Sequence, residues 1–439
     1  KFILDQRGDV RWYLNFKSNN MLTVLPNGNL VTAYLPTPPY THGDAPDKLV
    51  ETDLLGKFST FYFTPFIHHE VIPYQDGFIS TVGESIYQFD REVGTQKSNS
   101  LSLRQFFPNE RIFEYIDDSE SLHINAIATG GDLGDDLMVS ARNQHALVLL
   151  DYPEGKLKWI LGARDGWTPE FDSYLLKPVG DGFEWFWMQH APQVLPDLDG
   201  DATTLDILVF DNGTFRDFTA DLPNEKKYSR MVHYRIHQRE LTVEQIWEYG
   251  KERGHELFSS IKSNAVYLKQ TGNFLGTFGE VQSLYDVKRF DGVITEVTAQ
   301  KEVVFEMRLT DTRSIYRSQR VRVEELVREF HLGEHPGKYR VNDTPYKIYP
   351  FPLETNQTLT TNYAHSLYAL CMDKFGSDCL DWIYRGNRLG LDKITGYSPL
   401  RLYVDEIKLV NRDLHLKGRV ELAEEGRNLF LVVKSETDT

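Results

Sequence analysis

Three segments of this chain set histidine at the start of an apolar run: Ile67-His68-His69-Glu70, Leu122-His123-Ile124-Asn125-Ala126 and Met188-Gln189-His190-Ala191-Pro192. Imidazoles titrate near neutrality and can serve as nucleophile, acid or base. In a strand, positions i and i+2 share a face, so His123 and Asn125 point the same way. The following run carries Ser140-Ala141-Arg142-Asn143, with Arg142 near its end. Arginine offers a planar fork to oxyanions, and an asparagine amide donates N–H groups to the same oxygens. Grouped around one cavity, these side chains would bind an anion. A three-histidine zinc site is the other arrangement, and the guanidinium and amide favour the anion over a cation. A lone histidine at a strand head is more often structural, but three at equivalent positions of a repeat strengthen the functional reading.

Other chemistries lack their residues. No carboxylate pair accompanies the histidines, as glycoside hydrolysis would require. No glycine-rich loop precedes a helix to cradle a nucleotide. Trp185-Phe186-Trp187 could wall a ring substrate, but core packing is the more ordinary role. Glu70 could orient His69 or solvate a rim. Asn212-Gly213-Thr214 matches the glycosylation sequon, a weak pattern.

The elements that must position these side chains are strands. From Phe2 to about Glu306 apolar and polar residues alternate, punctuated by turns such as Pro26-Asn27-Gly28-Asn29, Gln75-Asp76-Gly77 and Asp211-Asn212-Gly213. A degenerate repeat runs through this part, with heads at Met21, His68, His123, His190 and Ser263, and closing strands ending in Trp12, Trp159 and Trp247. Four-stranded units repeated around an axis make a β-propeller, whose first strands start near the central channel. Strand heads from different blades then converge on one axial pocket. A β-sandwich is the competing all-β architecture.

Beyond Arg320 the character changes. Val321 to Phe330 and Ala364 to Phe375 read as helices, and Leu400 to Val433 returns to alternation. The expected division is a catalytic propeller at 1–330 and a small β-rich or α+β accessory domain at 331–439. Cys371 and Cys379 are the only two cysteines, and a local disulfide and two free thiols remain open.

The chain has 439 residues, with 48 Lys+Arg against 64 Asp+Glu, for a formal charge of −16. That balance argues against a nucleic-acid surface. No apolar run is long enough for a transmembrane helix. The chain starts at Lys1-Phe2-Ile3-Leu4, which suggests a removed leader or a late start.

The strings His123-Ile124-Asn125-Ala126-Ile127, Val139-Ser140-Ala141-Arg142-Asn143-Gln144 and Lys158-Trp159-Ile160-Leu161-Gly162 resemble bacterial arylsulfate sulfotransferases. The likeness continues through Gln189-His190-Ala191, Val209-Phe210-Asp211-Asn212-Gly213, Tyr228-Ser229-Arg230 and the stretch Val243 to Gly254, in matching order, over roughly Phe2 to Arg320. The resemblance implies a six-bladed β-propeller that moves a sulfuryl group from an aryl sulfate to a phenol without a nucleotide donor, cofactor or metal. It implies that His190 is transiently sulfated. It maps the sulfate-binding and acid/base set onto His69, His123, Asn125 and Arg142. The His-Glu pairing selects His69, and a one-residue slip would bring in His68.

The chain departs from that pattern in four places. Lys262, within Ser260-Ile261-Lys262-Ser263, stands where the family has threonine, and its ammonium could bind a sulfuryl oxygen. No cysteine lies between Arg142 and His190, so the family's short disulfide loop is missing. The family's N-terminal β domain, which helps dimerisation, is not in this sequence, so a homodimer is only an open expectation. The tail has no counterpart. The resemblance further implies ping-pong kinetics and an exported, periplasmic location. The alternatives are a sulfatase or phosphatase-type hydrolase using the same pocket, and a non-catalytic binding propeller.

Overall fold

A computed structural model describes residues 2–8, 10–13, 22–34, 48–52, 59–63, 67–75, 77–90, 100–111, 113, 121–220, 222–283, 289–310, 314–321, 338–341, 344–347, 400–410 and 413–422. The alternating pattern folds into antiparallel sheets, each from consecutive stretches of chain. Blade I contains Thr23–Val24, Leu30–Tyr34, Lys48–Thr52 and Ser59–Phe63. Blade II contains His68–Tyr74, Gly77–Val82, Ser85–Asp90 and Leu101–Ser102. Blade III contains Ile124–Ala128, Leu137–Ala141, Ala146–Asp151 and Lys156–Leu161. Blade IV contains His190–Val194, Thr204–Asp211, Arg230–His237 and Thr242–Tyr249, with Lys177–Val179 added in parallel at its edge. Blade V contains Asn264–Leu268, Asn273–Gln282, Phe290–Val297 and Val303–Leu309. The first strands of blades II to V lie against one another in chain order, which is the arrangement of a propeller.

The strand period of two explains how the blades stack. In blade III, Leu137, Val139, Val148 and Leu150 pack toward blade II, while Met138, Leu147, Leu149 and Trp159 pack toward blade IV. In blade IV, Leu205, Ile207 and Val209 face blade III, while Leu208 and Phe210 face blade V. A strand buried on both faces reads as a nearly continuous apolar run, as Leu205 to Phe210 does around Asp206. The core is therefore a series of layers between blades. Phe186 is buried within this packing, as the core reading expected, while Trp187, also buried, packs edge-on against His145 and Phe218.

The blade count differs from expectation. Five sheets of four or more strands are present among the described residues, not six. The sixth blade was implied by the family resemblance, whereas the repeat in the sequence offered five heads; the segment ending in Trp12, read as a closing strand, pairs as a two-stranded ribbon of Phe2–Leu4 with Val10–Tyr13.

In the tail, Lys338–Val341 pairs with Thr344–Lys347 and lies parallel to the last strand of blade I, with Arg340 opposite Tyr62. Leu400–Val410 and Asp413–Leu422 form a hairpin. The two helices expected in the tail, apart from Val321, and both Cys371 and Cys379 lie outside the described residues.

Candidate active site

The first strands of blades II, III and IV each begin with a break in register: between His68 and Val71, between Ile124 and Ala126, and between His190 and Gln193. Such bulges bend a strand end and re-aim its side chains. Left-handed backbone accompanies them, with φ of 57° at His69, 47° at His123 and 47° at Ala191. Blade V has the left-handed backbone without the bulge: φ is 63° at Lys262 and 84° at Ser263, and the strand that follows pairs in unbroken register. Non-glycine residues hold this conformation only when their surroundings enforce it, and such positions cluster at functional sites.

His69 and His123 are brought together, with Nε2 atoms 3.1 Å apart and ring centroids 4.6 Å apart. The turn that carries Arg142 is tied to the same strand head: Arg142 N–H donates to the His123 carbonyl and Asn143 N–H to that of Leu122, both at 3.2 Å. Asn125 is fully buried and donates through Nδ2 to the Gln189 carbonyl at 2.7 Å, joining blade III to the residue before His190. Its Oδ1 meets no donor among the described residues. The Gln189 amide donates to Ser140 Oγ and to the carbonyls of Ala141 and Ala146, locking the same two blades together.

His190 is buried, 3 % exposed, at the head of blade IV. Its Nδ1 lies 2.7 Å from Asn212 Oδ1 and 3.1 Å from the Met188 carbonyl oxygen. Burial holds its pKa well below the usual 6.5; Arg142 pushes the same way, Asn212 pulls it back, and Arg317 and His123 push it further down. His190 is therefore a neutral imidazole at neutral pH.

Asn212 sits between Asp211 and Gly213, above a buried charge cluster. Asp211 Oδ1 accepts from Trp187 N–H and Gly213 N–H, both at 2.9 Å. Its Oδ2 accepts from Arg230 Nε at 2.9 Å and Arg216 Nη2 at 3.1 Å. Arg230, itself fully buried, also donates to Glu184 and Glu248. These charge-assisted bonds make the turn rigid.

Glu70 pairs with a residue the sequence reading did not name: its Oε2 accepts from Arg317 Nη1 at 2.5 Å. Burial pushes the Glu70 carboxyl pKa up, against the pull of Arg317. The Lys262 ammonium donates to Ser314 Oγ at 2.5 Å and lies 3.7 Å from Glu280, while its carbonyl accepts from Asn212 Nδ2 at 3.1 Å. His68 opens the first strand of blade II opposite Thr81, and its side chain lies outside what the structure describes.

Sequence reasoning missed Tyr316, Arg317 and Asn212. Residues 314–318 follow the last strand of blade V and bridge the ring. Ser263 N–H donates to the Tyr316 carbonyl at 2.9 Å, and Ser318 is bound by Asn264 and Thr277. Arg317 reaches Glu70 of blade II and the Asn125 carbonyl of blade III, and the Tyr316 ring lies 6.3 Å from that of His69. The only signal for Arg317 was its place just after the last strand, where the ring must be closed. Among the described residues no three His, Cys, Asp or Glu side chains converge to hold a metal ion.

The arrangement brings a buried imidazole, His190, within the influence of the Arg142 and Arg317 guanidinium groups and of His123, which is itself in contact with His69. Comparisons with known proteins show what the chain is similar to. The arylsulfate sulfotransferase AssT of Escherichia coli O6:H1 is 30% identical over 181 residues, which are 38% of this chain and 28% of that protein. The AssT of Lelliottia amnigena is 32% identical over 181 residues, again 38% of this chain and 28% of the relative. The match thus spans less than a third of these curated relatives. Among solved structures, Kuenenia stuttgartiensis hydrazine synthase is similar at a TM-score of 0.38 and 11% identity, covering 66% of each chain, a likeness too weak to carry an argument. The model of the arylsulfotransferase (ASST) family matches residues 1–103 and 110–317, and the chain belongs to that family.

Proposed function

We propose that this protein transfers a sulfuryl group from an aryl sulfate to a phenol, by a ping-pong route through sulfated His190. The observation that most supports this is a buried, neutral His190 set among Arg142, Arg317 and the His69–His123 pair. Sulfuryl transfer, like phosphoryl transfer, spreads charge over peripheral oxygens with nucleophile and leaving group in line, so positioning and electrostatics supply most of the catalysis.

In the first half-reaction a lone pair of His190 forms an N–S bond as the S–O bond to the aryl oxygen breaks. The released electron pair stays on that oxygen, which takes a proton from the His69–His123 pair. Arg142 stabilises the sulfuryl oxygens, with Asn125 and Lys262 in supporting binding roles. In the second half-reaction the pair removes the proton of an incoming phenol. Its oxygen then attacks sulfur, and the N–S electron pair returns to His190. No cofactor enters either step. A covalent intermediate separates the two halves, which is the origin of ping-pong kinetics.

The reading carries with it the family's location outside the cytoplasm. No helix among the described residues is long and apolar enough to cross a membrane. The deciding experiment is mass spectrometry after incubation with a chromogenic aryl sulfate, with and without phenol. A sulfuryl adduct on the His190 peptide that disappears as a new aryl sulfate forms is the expected result. Release of inorganic sulfate with phenol present would instead make the protein a hydrolase, and absence of both adduct and turnover would make it a binding propeller.

A further inference from the structure

Built on the reading above, one question is which nitrogen of His190 attacks sulfur. We propose that Asn212 is the positioning residue that answers it: its side-chain oxygen holds the proton of His190 on Nδ1 and leaves Nε2 as the bare, attacking nitrogen.

The argument is one of donors and acceptors. A neutral imidazole carries one N–H and one lone pair on nitrogen. His190 Nδ1 faces two oxygens, Asn212 Oδ1 at 2.7 Å and the Met188 carbonyl at 3.1 Å. The carbonyl can only accept. The Asn212 amide has no freedom to turn its NH₂ toward the ring, because Nδ2 donates to the Ser259 carbonyl at 2.8 Å and the Lys262 carbonyl at 3.1 Å. A flipped amide would set its oxygen against those two carbonyls and its NH₂ against the Nδ1 proton, leaving buried groups unsatisfied. Nδ1 must therefore carry the hydrogen.

The holder is itself held. Ser229 Oγ donates to the Asn212 carbonyl at 2.7 Å and receives Ser259 N–H at 2.8 Å. Gly213, with φ of 73°, closes the turn against the Tyr228 carbonyl. The left-handed backbone at Lys262 and Ser263 belongs to the same segment as the two accepting carbonyls. Lys262 thus acts on the nucleophile through its backbone oxygen, which any residue at that position would supply. Nothing assigns this role to Asn212 from the sequence, where Asp211-Asn212-Gly213 reads as a turn and a sequon.

The test reads the tautomer without turnover. Ligand-free protein labelled with ¹⁵N-histidine is titrated, and the His190 signals are identified by their loss in His190→Asn. Nδ1 is expected to show the shift of a protonated nitrogen, and Nε2 that of a bare one, well below pH 6.5. In Asn212→Leu the longer contact to the Met188 carbonyl remains, so the preference should weaken rather than vanish, with a measurable Nε2–H population appearing, and aryl sulfate turnover should fall about tenfold or more.

Asn212→Asp keeps an acceptor but adds a charge, so the acid limb of the rate profile should rise by about 1–3 pH units. The other charged or titratable groups facing His190 are Arg142 and His123 from blade III and Arg317 from the closing segment, all unchanged in these variants. A wild-type spectrum with the proton on Nε2 overturns the proposal, whether or not the variants fold. So does an Asn212→Leu protein that keeps the wild-type tautomer and rate. If the tautomer is as expected but no sulfuryl group moves, the positioning role stands and the transferase reading fails.

Discussion

His69 and His123 come from neighbouring blades, yet their Nε2 atoms lie 3.1 Å apart. Two nitrogens at that distance need one hydrogen between them, so one ring donates while the other accepts. Two protonated nitrogens would face each other with like charges. A hydrogen placed on one Nε2 therefore fixes what the other can do, so the two rings are not independent.

The kinetic consequence is strong non-additivity. His69→Ala and His123→Ala should each lower kcat/KM by roughly 10²–10⁴-fold, the range for positioned acid/base groups. The double variant should be less than about tenfold worse than the more damaging single one, because residues acting as a unit do not add. Losses that multiply across the two sites would show independent roles.

Stability should fall on the acid side of neutrality. Burial holds the pKa of His190 and His145 well below 6.5, with Arg111 and Arg142 adding to the effect at His145. Below pH 6.5 the unfolded chain gains protons that the folded chain does not, so unfolding becomes easier as pH drops. Urea midpoints measured at pH 7.5 and again near pH 5.5 should decrease, and less so in His145→Phe. A midpoint that rises over this interval contradicts the assignment.

A second acid component comes from Asp206. It accepts from His233 and Arg235 and its pKa is lowered to about 2 against an ordinary 3.8. A depressed carboxyl stabilises the fold above its unfolded value and loses that contribution as pH falls from 3.8 toward 2. Asp206→Asn should remove this lower component while leaving that of the histidines in place.

Arg317→Ala tests the closing segment. It strands the Glu70 carboxylate in a site that already raises its pKa, at an expected cost of about 3 kcal/mol, typical of breaking one half of a buried pair. Adding Glu70→Gln should recover part of the stability. Activity should not return with it, since Arg317 also bonds the Asn125 carbonyl and bears on His190.

Gly213→Ala should inactivate. At φ of 73° a Cβ would run into the Tyr228 carbonyl and Arg216 Nη2, displacing the turn that carries Asn212. A variant with wild-type turnover would mean that the turn has slack.

The all-β reading and the nearness of His69 to His123 were legible because a strand's period of two and a repeated head make both visible in one dimension. The six blades came from the family resemblance, whereas the five strand heads read along the sequence, at Met21, His68, His123, His190 and Ser263, equal in number the five blades of the described residues. Asn212 and Arg317 were illegible. Neither sits at a strand head: Asn212 follows a second strand, and Arg317 comes after the last blade. Their partners are 22 and 247 residues away in the chain.

The bridge at 314–318 has a bearing on how the protein is made. A nascent chain that has emerged only as far as blade V already holds all three imidazoles and Arg142. It still lacks the guanidinium that ties Glu70 to Asn125, and the strap that joins the last blade to the early ones. Competence to react should therefore switch on late in synthesis, when the ring is sealed, rather than growing blade by blade.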